Sequence, residues 1–140
     1  MRTPKSQWQQ SVELRIPFHD LDPLEICWHG HYVRYFELAR TALLQSIDYD
    51  YPKMRESGYA WPVIEFFIRY AQPLFYQQRV QVEAYLMEWE NRLKIDYLIR
   101  DVESGRRLTR GHTVQVAVEM QTREMSLVTP AVLLEKLGVK

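Results

Sequence analysis

The segment from about Gly30 or His31 to Ile47 most restricts how this chain can fold. Tyr32, Tyr35, Phe36, Ala39, Leu43 and Ile47 recur at helical spacing and form one stripe. Val33, Leu38, Ala42 and Leu44 spread apolar surface well around the same axis. A helix apolar over so much of its circumference has to be largely enclosed by other elements.

The rest of the chain supplies the enclosure. Ser11 to Pro17 alternates Val12, Leu14 and Ile16 with Glu13 and Arg15, the period of a half-buried strand. Pro52 opens a short turn or helix that ends near Gly58. Everything afterwards reads as strands. Trp61 to Tyr70 alternates imperfectly. Arg79 to Glu88 sets Val80, Val82, Ala84 and Leu86 against Gln81 and Glu83. Leu93, Ile95, Tyr97 and Ile99 oppose Lys94, Asp96 and Arg100, and Leu108 to Met120 carries Val114, Val116 and Val118. Short connections such as Ser104-Gly105 imply an antiparallel meander. Pro130 to Leu137 is a last short helix or tail. The expectation is an α+β chain: one strand, one enclosed helix, then four long strands, with a curved antiparallel sheet wrapped around a central α-helix. Open sheet edges and a half-covered outer face favour a homo-oligomer.

At 140 residues the chain is sized for one domain, expected to span 1–140, and no repeat or Gly/Ser linker divides it. Lys plus Arg equals Asp plus Glu at 18 each, so no global field favours nucleic acid or an anionic membrane. The single cysteine removes any CxxC metal or redox motif. MRTPKSQWQQS has no apolar stretch to act as a signal peptide, and no run approaches the roughly 20 apolar residues of a membrane helix. A cytoplasmic protein without membrane insertion is expected.

Candidate chemistry gathers in HDLDPLEICWHGHY, His19 to Tyr32, which holds three of the four histidines. Metal binding is disfavoured, because His29 and His31 converge only on an extended segment whereas a helix begins here. Cys27, between Ile26 and Trp28, reads as a buried inert thiol. Carboxylate chemistry remains. Asp20 and Asp22 precede a long helix whose first amides are unpaired and carry partial positive charge. Such donors polarise a carbonyl and hold the oxyanion formed on attack, while a nearby Asp supplies the nucleophile or the base for water. On spacing alone, turn capping by both aspartates is the stronger reading.

Resemblance shifts that balance. Asp20-Leu21-Asp22, Ile26-Cys27-Trp28, His29-Gly30-His31-Tyr32 and Phe36-Glu37-Leu38-Ala39-Arg40 together resemble the signature of the 4-hydroxybenzoyl-CoA thioesterase family of hot-dog-fold proteins. Gly58 to Pro73 and Arg79 to Asn91 look like that family's second and third strands. The resemblance implies a thioesterase acting on acyl-CoA or an acyl carrier protein thioester, with no cofactor and no metal. It assigns catalysis to Asp22 and His29, with the oxyanion amides at His29 and Gly30 and the His29 side chain orienting water or substrate. Trp28, His31 and Tyr32 would line the substrate pocket, and Arg92 and Lys94, just after Glu88-Trp89, would meet CoA phosphates. A homodimer or homotetramer is implied. Leu24-Glu25 stands where the family often has small residues, and His31 where it often has Asn, which leaves the acyl group open. The alternatives are a 3-hydroxyacyl-thioester dehydratase using His29 or His31 with Glu37, and a non-catalytic acyl-binding protein.

Overall fold

A computed structural model describes residues 2–139. Strand β1 spans Gln9–Arg15, and a loop with 3-10 turns at Phe18–Asp20 and His29–His31 leads into helix α1, Tyr32–Ser46. Helix α2 (Tyr51–Glu56) and strand β2 (Tyr59–Ala60) follow, then β3 (Val63–Tyr70), β4 (Arg79–Glu88), β5 (Leu93–Asp101), β6 (Arg107–Gln115), β7 (Val118–Glu119) and helix α3 (Ala131–Leu137). The five long strands form one antiparallel sheet in the order β1-β4-β5-β6-β3, while β2 and β7 pair separately.

The alternation read from the sequence places the core. Val80, Val82, Ala84 and Leu86 of β4 and Leu93, Ile95, Tyr97 and Ile99 of β5 are all buried. The face of α1 carrying Tyr32, Tyr35, Phe36, Ala39, Leu43 and Leu44 is buried against the sheet. Phe36, fully buried, stacks on Tyr97 at 4.5 Å and on Phe66 at 5.8 Å between ring centroids. Burial of one such side chain contributes about 1.5–3 kcal/mol. Beneath this stack β6 must come close, and Gly111 permits it. A Cβ there would lie 2.6 Å from Phe36 Cε2 and 2.3 Å from the Phe67 carbonyl oxygen.

Several expectations are corrected. The meander holds for β4, β5 and β6, but β3 pairs with β6 and β1 with β4, so the chain crosses over between β3 and β4. The run from Leu108 to Met120 is two strands. It breaks after Gln115, and β7 leaves the main sheet to pair with β2. β1 begins at Gln9 and ends before Ile16, and β3 begins at Val63 rather than Trp61. α2 starts one residue before Pro52, with the Asp50 carboxylate accepting the Tyr51 amide at 2.7 Å as its N-cap. α1 is enclosed on one side only: Val33 is 37% and Leu38 52% exposed, because the sheet of one chain curls around one face of the helix.

Candidate active site

The loop between β1 and α1 is held by backbone bonds to its surroundings. The Cys27 amide donates to the Leu74 carbonyl at 2.8 Å and the Trp28 amide to the Asp20 carbonyl at 2.9 Å. Within this frame, Asp22 to Ile26 closes a tight turn. The Asp22 amide donates to the Ile26 carbonyl, Glu25 adopts a left-handed φ of 64°, and Asp22 Oδ1 accepts the Leu24 amide at 2.8 Å. Asp22 is half-buried, and its Oδ2 has no hydrogen-bond partner among the described residues. Turn capping and an available carboxylate oxygen therefore coexist on one side chain.

Asp20 has a different environment. It is 1% exposed, and its Oδ2 accepts the Tyr35 hydroxyl at 2.5 Å and Arg34 Nη2 at 2.7 Å. Its Oδ1 makes no hydrogen bond, with His31 Nε2 3.8 Å away. Burial pushes the Asp20 carboxyl up, but the Tyr35 hydroxyl and the Arg34 guanidinium outweigh it and hold the group below its ordinary value. The same hydrogen bond, added to burial, raises the Tyr35 phenol, which stays a neutral donor. Arg34 Nη2 also lies 3.1 Å from His31 Nδ1, so Asp20, Arg34, Tyr35 and His31 tie the loop to the first turns of α1.

The helix start itself is built from His29, Gly30 and His31. Their turn places the His29 and Gly30 amides where a helix has no intrahelical acceptors for its N–H groups. Tyr70 Oη, from the end of β3, donates to the His29 carbonyl at 2.7 Å and so fixes the turn from the sheet side. The Trp28 ring packs on the rings of His29 and His31 at 5.1 and 5.2 Å and covers Gly30, where a Cβ would lie 2.2 Å from the indole. Tyr32 is buried edge-on to Tyr70 at 4.7 Å, and burial raises its phenol. Cys27 is buried, with its sulfur 3.4 Å from Tyr35 Oη, and burial raises the thiol. A raised thiol is a poor nucleophile at neutral pH.

The structure thus brings Asp22, Trp28, His29, Gly30, His31 and Tyr32 onto one loop and helix start. It does not bring Arg92 or Lys94 there. Arg92 holds Glu88 with two hydrogen bonds of 3.0 and 3.1 Å, and Lys94 lies 3.9 Å from Glu88 and 4.0 Å from Asp96. Lys94 pairs with Val114, whereas Tyr70 pairs with Thr109 on the same strand. Five residues of strand separate those positions, roughly 17 Å. Glu37 forms an ion pair with Arg40 at 3.2 Å, one helical turn along, and makes no contact with either histidine of the turn. Among the described residues, no three His, Cys, Asp or Glu side chains converge in a metal-binding group, and no helix is long and apolar enough to cross a membrane. Sequence reasoning missed Arg34, Tyr35 and Tyr70. The first two lie on the helical stripe or beside it, but Tyr70 is 41 residues from His29 and meets it only through sheet pairing.

A five-stranded antiparallel sheet curled around one long helix is the architecture of the hot-dog proteins. The chain belongs to the thioesterase-like superfamily, whose sequence profile matches residues 16–137. A provisionally named esterase of Aquifex aeolicus is 36% identical over 74 residues, 53% of this chain and 58% of the relative. A provisionally named acyl-CoA thioesterase of Bacillus subtilis is 27% identical over 77 residues, 55% of this chain and 56% of the relative. The chain thus spans little more than half the length of these curated relatives. The crystal structure of a 4-hydroxybenzoyl-CoA thioesterase variant with 4-hydroxybenzoyl-CoA superposes with a TM-score of 0.79. It covers 92% of this chain and 98% of its own at 17% identity, a likeness of fold.

Proposed function

We propose that the protein hydrolyses an acyl-CoA thioester to the free acid and the thiol. The observation that carries this reading is the helix-start turn, with its His29 and Gly30 amides free of intrahelical acceptors and the half-exposed Asp22 on the loop leading into it. The names of the relatives point to the same chemistry. The thioester oxygen sits on the His29 and Gly30 amides, where the partial positive charge of the helix start draws electron density from the carbonyl carbon. Asp22 Oδ2 then either attacks that carbon, forming an acyl-Asp22 anhydride that water opens, or takes a proton from the water that attacks it. In both routes the C–S bond breaks, the thiolate leaves and is protonated, and one water is consumed. Asp22 Oδ1 stays on the Leu24 amide and holds the carboxylate in place.

The reading includes a homo-oligomer in which the open edge of β3 pairs with a second copy. Arg92 and Lys94 stand in surface ion pairs with Glu88 that are weak enough to be exchanged for a phosphate, and they remain the proposed contacts for the carrier.

Thiol release should be followed with a panel of aliphatic and aromatic acyl-CoAs and the matching acyl carrier protein thioesters. Wild type should turn over at least one member, Asp22→Asn should lose activity by a hundredfold or more, and Asp20→Asn should retain more activity per folded molecule. Equal turnover by wild type and Asp22→Asn would remove Asp22 from the chemistry. Acyl-CoA binding without turnover would make the protein a carrier rather than an enzyme.

A further inference from the structure

The face of the main sheet turned away from α1 carries a broad cleft of about 1210 Å³. Its floor is made by β3, β6 and β5, and one wall by the N-terminal segment from Arg2 to Lys5. That segment is tied to the sheet. Arg100 Nη2 donates to Thr3 Oγ1 at 3.5 Å, and Ser6 Oγ donates to the Leu86 carbonyl at 2.5 Å. Six cations line the cleft, Arg2, Lys5, Arg69, Arg106, Arg107 and Arg110, against the single carboxylate of Asp96. The chain as a whole has no net charge, so this excess of five positive charges is a local arrangement.

Elsewhere on the surface, arginines find carboxylates. Arg34, Arg40, Arg79, Arg92 and Arg100 each lie within 4.0 Å of one. Among the described residues, Arg2, Lys5, Arg69, Arg106 and Arg110 have none at that distance. Asp96 divides its one charge between Lys94, at 4.0 Å, and the more distant His112 and Arg110. Arg69 and Arg110 also stand directly opposite each other in the antiparallel register of β3 and β6, where like charges destabilise a sheet. Arg110 Cζ lies 5.7 Å from the centroid of the Phe67 ring, a contact that holds the guanidinium against the cleft floor. Mutual repulsion of this kind is relieved by a bound anion of matching charge.

We infer that this cleft binds an oligophosphate, a chain of two or more phosphates that is either free or part of a nucleotide. Guanidinium forks match the paired oxygens of phosphate groups, and a lysine adds a point charge. Charge spread over six side chains is met by a ligand with several anionic groups on one backbone. No aromatic ring is among the lining residues, so a base has nothing to stack on and the phosphate chain carries the recognition. The cleft is separate from the thioester site. Arg69 precedes Tyr70, which turns to the opposite face of β3 to reach His29. Lys94 is distinct as well, since it pairs with Val114, four residues along β6 from Arg110 and roughly 13 Å away. Binding in the cleft does not depend on thioester hydrolysis.

Isothermal titration of the intact protein with inorganic tripolyphosphate, ATP, orthophosphate and citrate, in the absence of divalent metal, tests this. Tripolyphosphate should bind at least tenfold more tightly than orthophosphate or the tricarboxylate, and ATP should match tripolyphosphate within about threefold. Arg69→Gln combined with Arg110→Gln should weaken tripolyphosphate tenfold or more. Lys5→Gln combined with Arg106→Gln, at exposed positions outside the strands, should weaken it at least threefold, and keeps the test decisive if the first pair disturbs the fold. Arg92→Gln should bind like wild type. No binding of tripolyphosphate at millimolar concentration, citrate equal to it, or ATP tenfold tighter than it would each overturn the inference. So would full affinity in both double variants, or an equal loss in Arg92→Gln.

Discussion

The hydroxyl of Tyr70, at the end of β3, donates a 2.7 Å hydrogen bond to the carbonyl of His29, the first residue of the turn that opens α1. The bond joins sheet to helix start, and it sets the plane of the peptide that follows His29. The Gly30 amide belongs to that same peptide. Tyr70 therefore positions one of the two proposed oxyanion donors without touching substrate.

Tyr70→Phe should leave the fold intact, since the ring still meets Tyr32 and only one half-exposed bond is lost. A hydrogen bond of this kind contributes about 0.5–1.5 kcal/mol net. If that holds the Gly30 amide in place, kcat should fall roughly two- to tenfold with KM nearly unchanged. Steady-state thiol release with the best acyl-CoA separates the two parameters, and an unaltered kcat would reduce Tyr70 to a packing residue.

Asp20 should make stability depend on pH below neutrality. Its carboxyl is held below the ordinary value, so the folded state binds its proton less readily than the unfolded chain does. The stabilisation is complete above the unfolded carboxylate value of about 3.9, and is lost as pH falls from there through the lower folded value. Urea midpoints of wild type should therefore decline from about pH 4 downward, with a shallower decline in Asp20→Asn. At pH 7 the same substitution should cost about 1.5–3 kcal/mol, the range for hydrogen bonds to a charged group. Parallel pH profiles of the two proteins would show that Asp20 does not carry the effect.

The two carboxylates also show where sequence reading reaches its limit. Strands β4 and β5 were legible because every second side chain is apolar, and the helix was legible from its stripe. The start of the helix and its donors follow from the end of the polar loop. Asp20 and Asp22, in contrast, are chemically alike in the sequence, two residues apart in one polar loop. Their environments part because Tyr35 and Arg34 rise from α1 to meet one of them, a contact set by helix packing rather than by local pattern. Choosing Asp22 rested on resemblance. The break after Gln115 was hidden for a similar reason: Val116, Ala117 and Val118 continue an apolar run, and only pairing with β2 turns it into a separate strand. The crossover between β3 and β4 leaves no periodic signature.

Gly30 and Gly111 predict opposite outcomes for the same substitution. At Gly111 a methyl group meets the Phe67 backbone as well as the Phe36 ring, and neither can move without disturbing the sheet or the aromatic stack. Gly111→Ala should destabilise the protein by about 1–3 kcal/mol, as overpacking does. At Gly30 the obstacle is the outer part of the Trp28 ring, which is 45% exposed and can swing away. Gly30→Ala should change stability little, shift the tryptophan emission, and raise KM by uncovering the helix start. Chemical denaturation followed by fluorescence reads both effects, and equal stability losses would contradict the difference in surroundings.

The edge strand β3 gives the last prediction. It pairs with β6 on one side only and exposes Val63, Ile64, Phe67 and Tyr70, with Ile64 60% accessible. Long apolar edges recruit a second strand unless charge or a covering element prevents it. Pairing of two β3 edges by a two-fold axis would satisfy the free backbone groups of both chains, and would bring the partner's edge alongside Tyr70 and the helix start. Sedimentation at tens of micromolar should therefore give at least a dimer for wild type. Ile64→Lys, which puts two like charges into a symmetric contact, should shift the protein toward monomer and lower turnover with it. A wild type that sediments as a monomer, or an Ile64→Lys protein with unchanged mass, would place the interface elsewhere or remove it. If the mass falls while kcat is unchanged, the helix start works within a single chain.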